Sequence, residues 1–300
     1  MHNETLSVVA VRVSDKDRSP VKIYCCDAAP TPTGFAQIVS DDFPVFHGCD
    51  LPMRHALRLW LVFPVPADKG SSSSDSTKMN EELWNRVDDF LSEVLGTSDP
   101  VLEAALRASA KAGLPAIQVS ANQGRLLQLL AQAQGARRIL EMGTLGGYST
   151  IWLARALPPE GCLISLELEA SYAEVARKNV ARANVENLVT IRVGPASGTL
   201  AQLVSEKTVP FDFIFIDADN PGYPNYFKWA MKLSRPGTLI VADNVVRKGA
   251  LLDSNSNDAT VQGMQRLLDI IAAERRVSAT GIQTVGSKGY DGFVLARVMA

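Results

Sequence analysis

From Met79 to the C-terminus the chain contains no histidine and a single cysteine, Cys162. This stretch therefore cannot form a disulfide within itself. It also cannot carry a catalytic triad that uses histidine, or a conventional zinc site built from histidine and cysteine. Any metal bound there must have oxygen ligands, which favours the hard cations Mg²⁺, Ca²⁺ and Mn²⁺.

Long apolar runs and a large excess of one charge are also missing. No stretch approaches the roughly 20 apolar residues that a membrane helix needs, and the N-terminus MHNETLSVV lacks the order of a signal peptide. The net charge is −2 and the charged residues are interspersed, so neither nucleic acid nor a membrane is an expected partner. We predict a soluble, cytoplasmic protein that acts on a small molecule.

The first 78 residues differ from the rest. They lack clear helical periodicity and end in the serine-rich run DKGSSSSDSTK, which is typical of a flexible linker. Residues 1–78 are therefore predicted to be a poorly ordered extension, or sequence upstream of a native start at Met79. Residues 79–300 are predicted to form the functional domain.

From Met79 the pattern is regular. Two or three amphipathic helices come first, the second of them beginning at Asp99 and Pro100, a cap and a first-turn proline. Short β-rich runs then alternate with helices of about ten residues, and the last two runs, 277–285 and 292–298, are close enough to form a hairpin. This order predicts an α/β fold with a doubly wound, mostly parallel sheet and an antiparallel C-terminal edge strand.

Four predicted strands end in a carboxylate: Glu141, Glu167, Asp217 and Asp243. Ligands of doubly wound sheets bind outside the carboxyl ends of the strands. A single acid there is commonly solvated or capping a helix, whereas four at equivalent positions indicate a binding site.

The turn after the first strand, EMGTLGGYST (141–150), is rich in glycine. Glycines let the backbone approach a ligand, and an acid about 20 residues further on, here Glu167, can accept hydrogen bonds from a ribose. Together they predict a cofactor that contains a nucleoside. A nicotinamide-dependent oxidoreductase is one alternative, although GTLGG is not the GxGxxG expected for it.

Five stretches of the chain, in this order, match a known family: GLPAIQVSANQG, LEMGTLGGYSTIWLA, FDFIFIDAD, LSRPGTLIVADNVVRKG and VGSKGYDGF. From about Trp84 to the C-terminus the chain resembles the cation-dependent, S-adenosylmethionine-using O-methyltransferases of the catechol and caffeoyl-CoA type, particularly a bacterial branch. The resemblance implies a Rossmann-like class I methyltransferase fold and methyl transfer to a hydroxyl of a small catechol-like or phenolic acceptor.

The resemblance also implies which residues contact S-adenosylmethionine. Some lie around the first turn, one meets the ribose, one lies near the adenine and one precedes the SANQG stretch. They are Glu141, Gly143, Ser149, Glu167, Ala196 and Val119.

Three oxygen-bearing residues are implied as ligands of a divalent cation, Mg²⁺ first and Mn²⁺ or Ca²⁺ as alternatives. They are Asp217, Asp243 and Asn244. The sequence by itself agrees, because the two acids end neighbouring strands and Asn244 adds a neutral oxygen. A cation held there would chelate two vicinal hydroxyls of the acceptor.

The sequence departs from the family at Asn220, where relatives usually have a catalytic lysine. An amide cannot act as a base near neutral pH. The metal alone could acidify the acceptor, or Lys228, Tyr223 or Asp219 could replace the lysine. In the third interpretation the protein is a weak or inactive pseudo-enzyme that binds the cofactor.

Other residues near these motifs have simpler interpretations. Strand alternation points Asp219 away from Asp217, which predicts a structural role for it. Arg247 and Lys248 follow the metal ligands on a loop that could meet the acceptor or be solvated. Related enzymes often form dimers, so a homodimer is expected.

Overall fold

The structure is a computed structural model that describes residues 7–9, 24–26, 73–97 and 99–299. The chain divides into two units, Met1–Gly70 and Ser71–Ala300. In the first unit strand β1 (Ser7–Val9) pairs antiparallel with β2 (Tyr24–Cys26). Most of the predicted N-terminal extension lies outside the described residues, so its boundary at residue 78 stays a prediction.

The second unit begins with three helices. Helix α1 (Ser73–Val94) starts inside the serine-rich run, so the prediction that the helix starts at Met79 is wrong. The predicted linker stays a prediction, because residues 68–72 lie outside the described part of the chain. Helix α2 (Pro100–Lys111) is capped by the Asp99 side chain, which accepts hydrogen bonds from two backbone amides. Helix α3 (Ala121–Ala133) is capped by the Ser120 hydroxyl, which accepts a hydrogen bond from the Gln123 backbone amide at 3.2 Å.

A seven-stranded sheet follows, with the strand order β5-β4-β3-β6-β7-β9-β8. Strands β3 to β7 are parallel to one another, and β9 is antiparallel to both of its neighbours. The strands are β3 (Arg138–Met142), β4 (Cys162–Glu167), β5 (Val189–Val193), β6 (Phe211–Ile216), β7 (Ser234–Ala242), β8 (Val277–Gly286) and β9 (Gly289–Val298). The predicted fold is confirmed, with the refinement that β9 lies inside the sheet and β8 forms its edge.

Helices connect these strands and cover both faces of the sheet. They are α4 (Tyr148–Ala154), α5 (Ala170–Arg182), α6 (Ala196–Ser205), α7 (Tyr223–Lys232) and α8 (Ala259–Ala273). Short 3₁₀ turns lie at Glu186–Leu188, Asn220–Gly222 and Arg247–Leu252. No helix in the described part of the chain is long and apolar enough to cross a membrane.

Strand β6 shows how the two faces are built. All six of its residues are buried, so its sequence FDFIFI is almost continuously apolar. Phe213 and Phe215 pack in the core cluster that includes residues of α3 and α4, whereas Ile214 and Ile216 pack in the cluster that includes residues of α7 and α8. Because successive side chains point to opposite faces, β6 belongs to both cores and lies at the centre of the domain.

The parallel strands place their carboxyl ends along one edge of the sheet. Residues that follow β3, β4, β6 and β7 therefore come together although they are far apart in the sequence. The first residues of β9 lie at the same edge, because β9 runs in the opposite direction. This edge carries the candidate site.

Candidate active site

The turn after β3 is held tightly against the end of β6. Gly143 has a φ of +99°, and a Cβ atom built on it would lie 1.9 Å from the backbone oxygen of Asp217. The amide of Asp217 donates to the backbone oxygen of Met142 at 2.9 Å, which continues the strand pairing to this point. Only glycine fits a position with this backbone angle and this contact.

Glu141 lies beneath that turn and is fully buried. Its carboxylate accepts hydrogen bonds from the hydroxyls of Ser149 at 2.7 Å, Thr150 at 2.5 Å and Ser165 at 2.6 Å. Burial raises the pKa of Glu141 to about 7, although the three hydroxyls act in the opposite direction. Glu141 thus ties β3 to the start of α4 and to β4. Its predicted contact with a methyl donor, and that of Ser149, stay predictions.

Glu167, at the end of β4, is also buried and supports the loop between β3 and α4. One carboxylate oxygen accepts from the amides of Thr144 at 3.2 Å and Leu145 at 2.7 Å, and the other accepts from the amide of Glu169 at 3.0 Å. These bonds fix the carboxylate at the carboxyl edge of the sheet. Its predicted contact with a ribose stays a prediction.

The two remaining residues predicted for the cofactor have different surroundings. Ala196 is the first residue of α6, and the nearby Gly194 amide donates to the backbone oxygen of Glu167 at 2.8 Å, so Ala196 belongs to the same edge. Val119 is 5% exposed and is part of the apolar core directly before the α3 cap. Both contacts with the cofactor stay predictions.

The ends of β6 and β7 bring acidic groups together. The Asp243 carboxylate accepts a hydrogen bond from the Gln123 side chain at 2.6 Å and another from the backbone amide of Asn244 at 2.8 Å. Burial raises the pKa of Asp243 to about 6. Burial also raises the pKa of Asp217 well above its usual range, and the negative charge of Asp243 raises the pKa of Asp217 further.

Asn244 follows directly, with a left-handed φ of 55°. Within the described residues, no three or more side chains of histidine, cysteine, aspartate or glutamate gather as a metal site. The candidate set consists instead of two carboxylates and one amide, Asp217, Asp243 and Asn244. Two buried acids that repel each other suit a hard divalent cation.

The structure argues against the substitutes considered for a general base. Asn220 is 5% exposed and its amide oxygen accepts a hydrogen bond from the Arg247 guanidinium. Tyr223 is fully buried, donates to the Ile216 backbone oxygen at 3.2 Å, and has a pKa that burial raises well above its usual range. Lys228 is exposed on α7, in a groove lined by none of the predicted site residues.

Asp219 has the structural role that its position predicts. Its carboxylate accepts a hydrogen bond from the Tyr226 hydroxyl, and its backbone oxygen accepts from the Gly222 amide at 2.9 Å. The side chain does not cap the 3₁₀ turn that begins at Asn220. The contact with Tyr226 joins the end of β6 to α7.

Sequence reasoning missed two residues of this edge. Gln123 lies on α3 and contacts Asp243, while Asp291, at the start of β9, accepts from the amides of Val246 and Arg247 at 3.0 Å each. Both belong to stretches that carry the family resemblance, SANQG and VGSKGYDGF. Neither follows a strand end, so the rule that identified the four acids does not find them.

Known proteins match the chain over this domain. The profile of the O-methyltransferase family matches residues 92–299. A catechol O-methyltransferase of Niastella koreensis is 54% identical over 220 residues, which cover 73% of this chain and 100% of the relative. One from Mycobacterium tuberculosis is 50% identical over 212 residues, which cover 71% of this chain and 94% of the relative.

Solved structures agree with the fold. An O-methyltransferase from Bacillus cereus in complex with SAH has a TM-score of 0.72 and 57% identity, and the match covers 72% of this chain and 99% of that chain. The O-methyltransferase TomG from Streptomyces achromogenes, in complex with SAM, has a TM-score of 0.72 and 51% identity, covering 74% of this chain and 100% of that chain. With the sheet order, the strand-end acids and the profile match in agreement, the chain belongs to the O-methyltransferase family.

Proposed function

We propose that the protein transfers a methyl group from S-adenosylmethionine to a hydroxyl oxygen of a small acceptor. The observation that carries this proposal is the similarity to two O-methyltransferases solved with SAH and with SAM, at 57% and 51% identity over nearly their whole length. The Gly143 turn, braced by Glu141 and Glu167, would hold the donor at the carboxyl edge of the sheet. Ser149, Ala196 and Val119 complete the proposed set of contacts.

A divalent cation is the second part of the proposal, with Mg²⁺ preferred and Mn²⁺ or Ca²⁺ as alternatives. The fit rests on the chemistry of the donors, since Asp217 and Asp243 are desolvated carboxylates that raise each other's energy when both are ionised. Asn244 adds a neutral oxygen. When bound, such an ion lowers the pKa of an acceptor hydroxyl and orients it.

We further propose a catechol-like acceptor. Support comes from the two relatives named catechol O-methyltransferase, at 54% and 50% identity. A catechol offers two oxygens to a cation that Asp217, Asp243 and Asn244 would hold, and such a cation would favour the oxygen anion that attacks the methyl group. The partner is thus a small hydroxylated molecule, and neither nucleic acid nor a membrane is proposed.

Neither the residue at the usual lysine position nor the neighbouring tyrosine is suited to take up the acceptor proton. Asn220 lacks basicity at neutral pH, and the raised pKa of Tyr223 makes its hydroxyl a poor source of a phenolate. The Asp243 carboxylate is oriented by Gln123, and the backbone of Asp217 lies against Gly143. We propose that the acceptor proton leaves to water.

The test is a methyl-transfer assay on the full chain with S-adenosylmethionine and a panel of catechols, with Mg²⁺ or with a chelator. We expect methylated catechol with Mg²⁺ and none with the chelator, and Asp217→Asn should abolish the product. Calorimetry should show binding of S-adenosylhomocysteine and none of NAD, which excludes the oxidoreductase alternative. Cofactor binding without product for any catechol would instead support the pseudo-enzyme, which the named relatives do not favour.

We also propose that the protein is a cytoplasmic homodimer. Helix α1 supports association, because it exposes apolar side chains at helical spacing, with Leu83 54%, Phe90 63% and Val94 62% exposed. Light scattering of the purified chain should give twice the monomer mass. The monomer mass at all concentrations tested would contradict the proposal.

A further inference from the structure

Arg247 and Asn220 form a contact that no local motif predicts. The guanidinium Nη2 of Arg247, on the loop after β7, donates to the Asn220 side-chain oxygen after β6. Asn220 is 5% exposed, and its amide nitrogen faces the Met264 sulfur at 3.7 Å. The side-chain oxygen of Asn220 can therefore accept from the guanidinium. Because the Asn220 side chain is buried, it fixes the position of the guanidinium.

The backbone of Arg247 is fixed as well. Its φ of 52° is left-handed, a conformation that a residue with a side chain adopts only when its surroundings hold it there. The Asp291 carboxylate accepts from the amides of Val246 and Arg247 at 3.0 Å each, and the Val245 amide donates to the Gly292 backbone oxygen at 2.9 Å. Strand β9 thus fixes the backbone around Arg247, and Asn220 binds the guanidinium group.

The charge of Arg247 acts on the acidic pair. Burial raises the pKa of Asp217 and Asp243, and the Arg247 charge opposes that rise for both, while the carboxylate of Asp291 adds to it. The Arg247 Nε is buried and has no hydrogen-bond partner within the described part of the chain. The Arg247–Asn220 hydrogen bond joins the segments that directly follow Asp217 and Asn244, so a fixed cation with an unused donor lies beside the proposed metal ligands.

We propose that Arg247 stabilises the negative charge on the acceptor oxygen and that Asn220 is the positioning residue that holds it there. The inference rests on the proposed function. A guanidinium stays protonated, so Arg247 cannot remove the acceptor proton and acts on the anion instead.

In the resulting step the acceptor O–H ionises and its proton goes to water. The oxygen pair forms a bond to the methyl carbon, and the pair of the breaking C–S bond stays on sulfur, which becomes neutral. Arg247 lowers the energy of the oxygen anion before the attack, through a charge already in place. Asn220 thereby has a use in the reaction, although it is not a base.

Kinetics of the full-length chain with saturating Mg²⁺ test this role. We expect Arg247→Met to lower kcat/KM for a catechol by on the order of 10-fold to 100-fold, and to move the rising limb of its pH profile to higher pH. Arg247→Lys should retain part of the rate because it keeps the charge. The matched control is Arg266→Met on the exposed face of α8, which should behave as wild type.

A double-mutant cycle tests the positioning by Asn220. Asn220→Leu should lower kcat/KM in the wild-type chain, and should have little further effect in the Arg247→Met chain, because both changes remove the same placed charge. Additive effects would overturn the role of Asn220. An active wild-type chain in which Arg247→Met and Arg247→Lys both match Arg266→Met would overturn the role of Arg247.

A second readout needs no turnover. Removing a positive charge beside the acids should tighten Mn²⁺ binding to Arg247→Met several-fold relative to Arg266→Met, measured by calorimetry without acceptor. Equal affinities would overturn the placement of the charge. If the wild-type chain transferred no methyl group, the proposed function would be wrong. The Mn²⁺ affinities would still test whether the charge of Arg247 lies beside the acids.

Discussion

Gly143 touches the backbone of Asp217. A Cβ atom on Gly143 would lie 1.9 Å from the Asp217 oxygen, so the turn proposed for the methyl donor and the strand end proposed for the cation are in direct contact. A change in one necessarily displaces the other, because the contact is between backbone atoms and no flexible side chain can absorb it. The turn proposed for the donor and the strand end proposed for the cation are thus joined through the main chain.

Gly143→Ala should therefore damage the fold as well as the site. We expect a loss of roughly 2 to 5 kcal/mol in the free energy of unfolding, from the overlap and from the φ of +99°. Denaturant unfolding measures it. Gly198→Ala is the control, because Gly198 lies in α6 with no atom within 4 Å of an added Cβ; it should stabilise the helix by about 0.5–1 kcal/mol. Equal effects of the two substitutions would contradict the prediction.

Glu141 should make stability depend on pH. Its pKa rises from 4.5 to about 7 in the folded protein, so between these values the folded state binds more protons than the unfolded state. Stability contributed by this group is present at low pH and is lost as the pH rises towards 7, by up to about 3 kcal/mol. Glu141→Gln should remove that part of the slope. Denaturant unfolding of both chains at pH 5 and pH 8 gives the difference, and parallel curves would contradict it.

Asp217→Asn should raise the stability of the protein and abolish its binding of a divalent cation. It removes a desolvated charge next to Asp243, so without metal the variant should melt a few degrees higher at pH 8. Divalent cation binding by calorimetry should be lost. Asp269→Asn, on the exposed side of α8, removes the same charge and should change neither property. A variant that binds Mg²⁺ as wild type does would remove Asp217 from the proposed ligands.

Gln123 should matter for the cation although it is not a proposed ligand. Its side chain orients Asp243 through a bond of 2.6 Å. Gln123→Leu should weaken Mn²⁺ binding by about 10-fold, a typical effect of losing a group that orients a metal ligand. Gln132→Leu, exposed on the same helix, is the matched control. Similar affinities for both variants would show that Asp243 needs no such support.

Much of the fold follows from local patterns. The predicted cap at Asp99 is confirmed, because a cap depends on residues within one turn of the chain. The start of α1 differs from the predicted start at Met79, because the structure begins the helix at Ser73, within the serine-rich run. The position of β9 between β7 and β8 could not be read from the sequence, because a hairpin can join a sheet edge by either of its strands.

The candidate site also has features that the sequence predicts and features that it does not. The four acids at strand ends could be found because parallel strands place their carboxyl ends together. The three hydroxyls that donate to Glu141 and the backbone amides that donate to Glu167 could not be found from the sequence. These contacts depend on how the segments around the strand ends pack together.

The sequence by itself determined the alternation of strands and helices, the acids at the carboxyl edge and the lack of any histidine in the domain. These are properties of composition and spacing, which a chain carries before it folds. Only the tertiary structure decided that Asn220 holds Arg247, 27 residues away, and that Asp291 fixes the backbone of that arginine. Contacts of this kind are set by the order of strands in the sheet and by a left-handed backbone at Arg247, neither of which has a local signature.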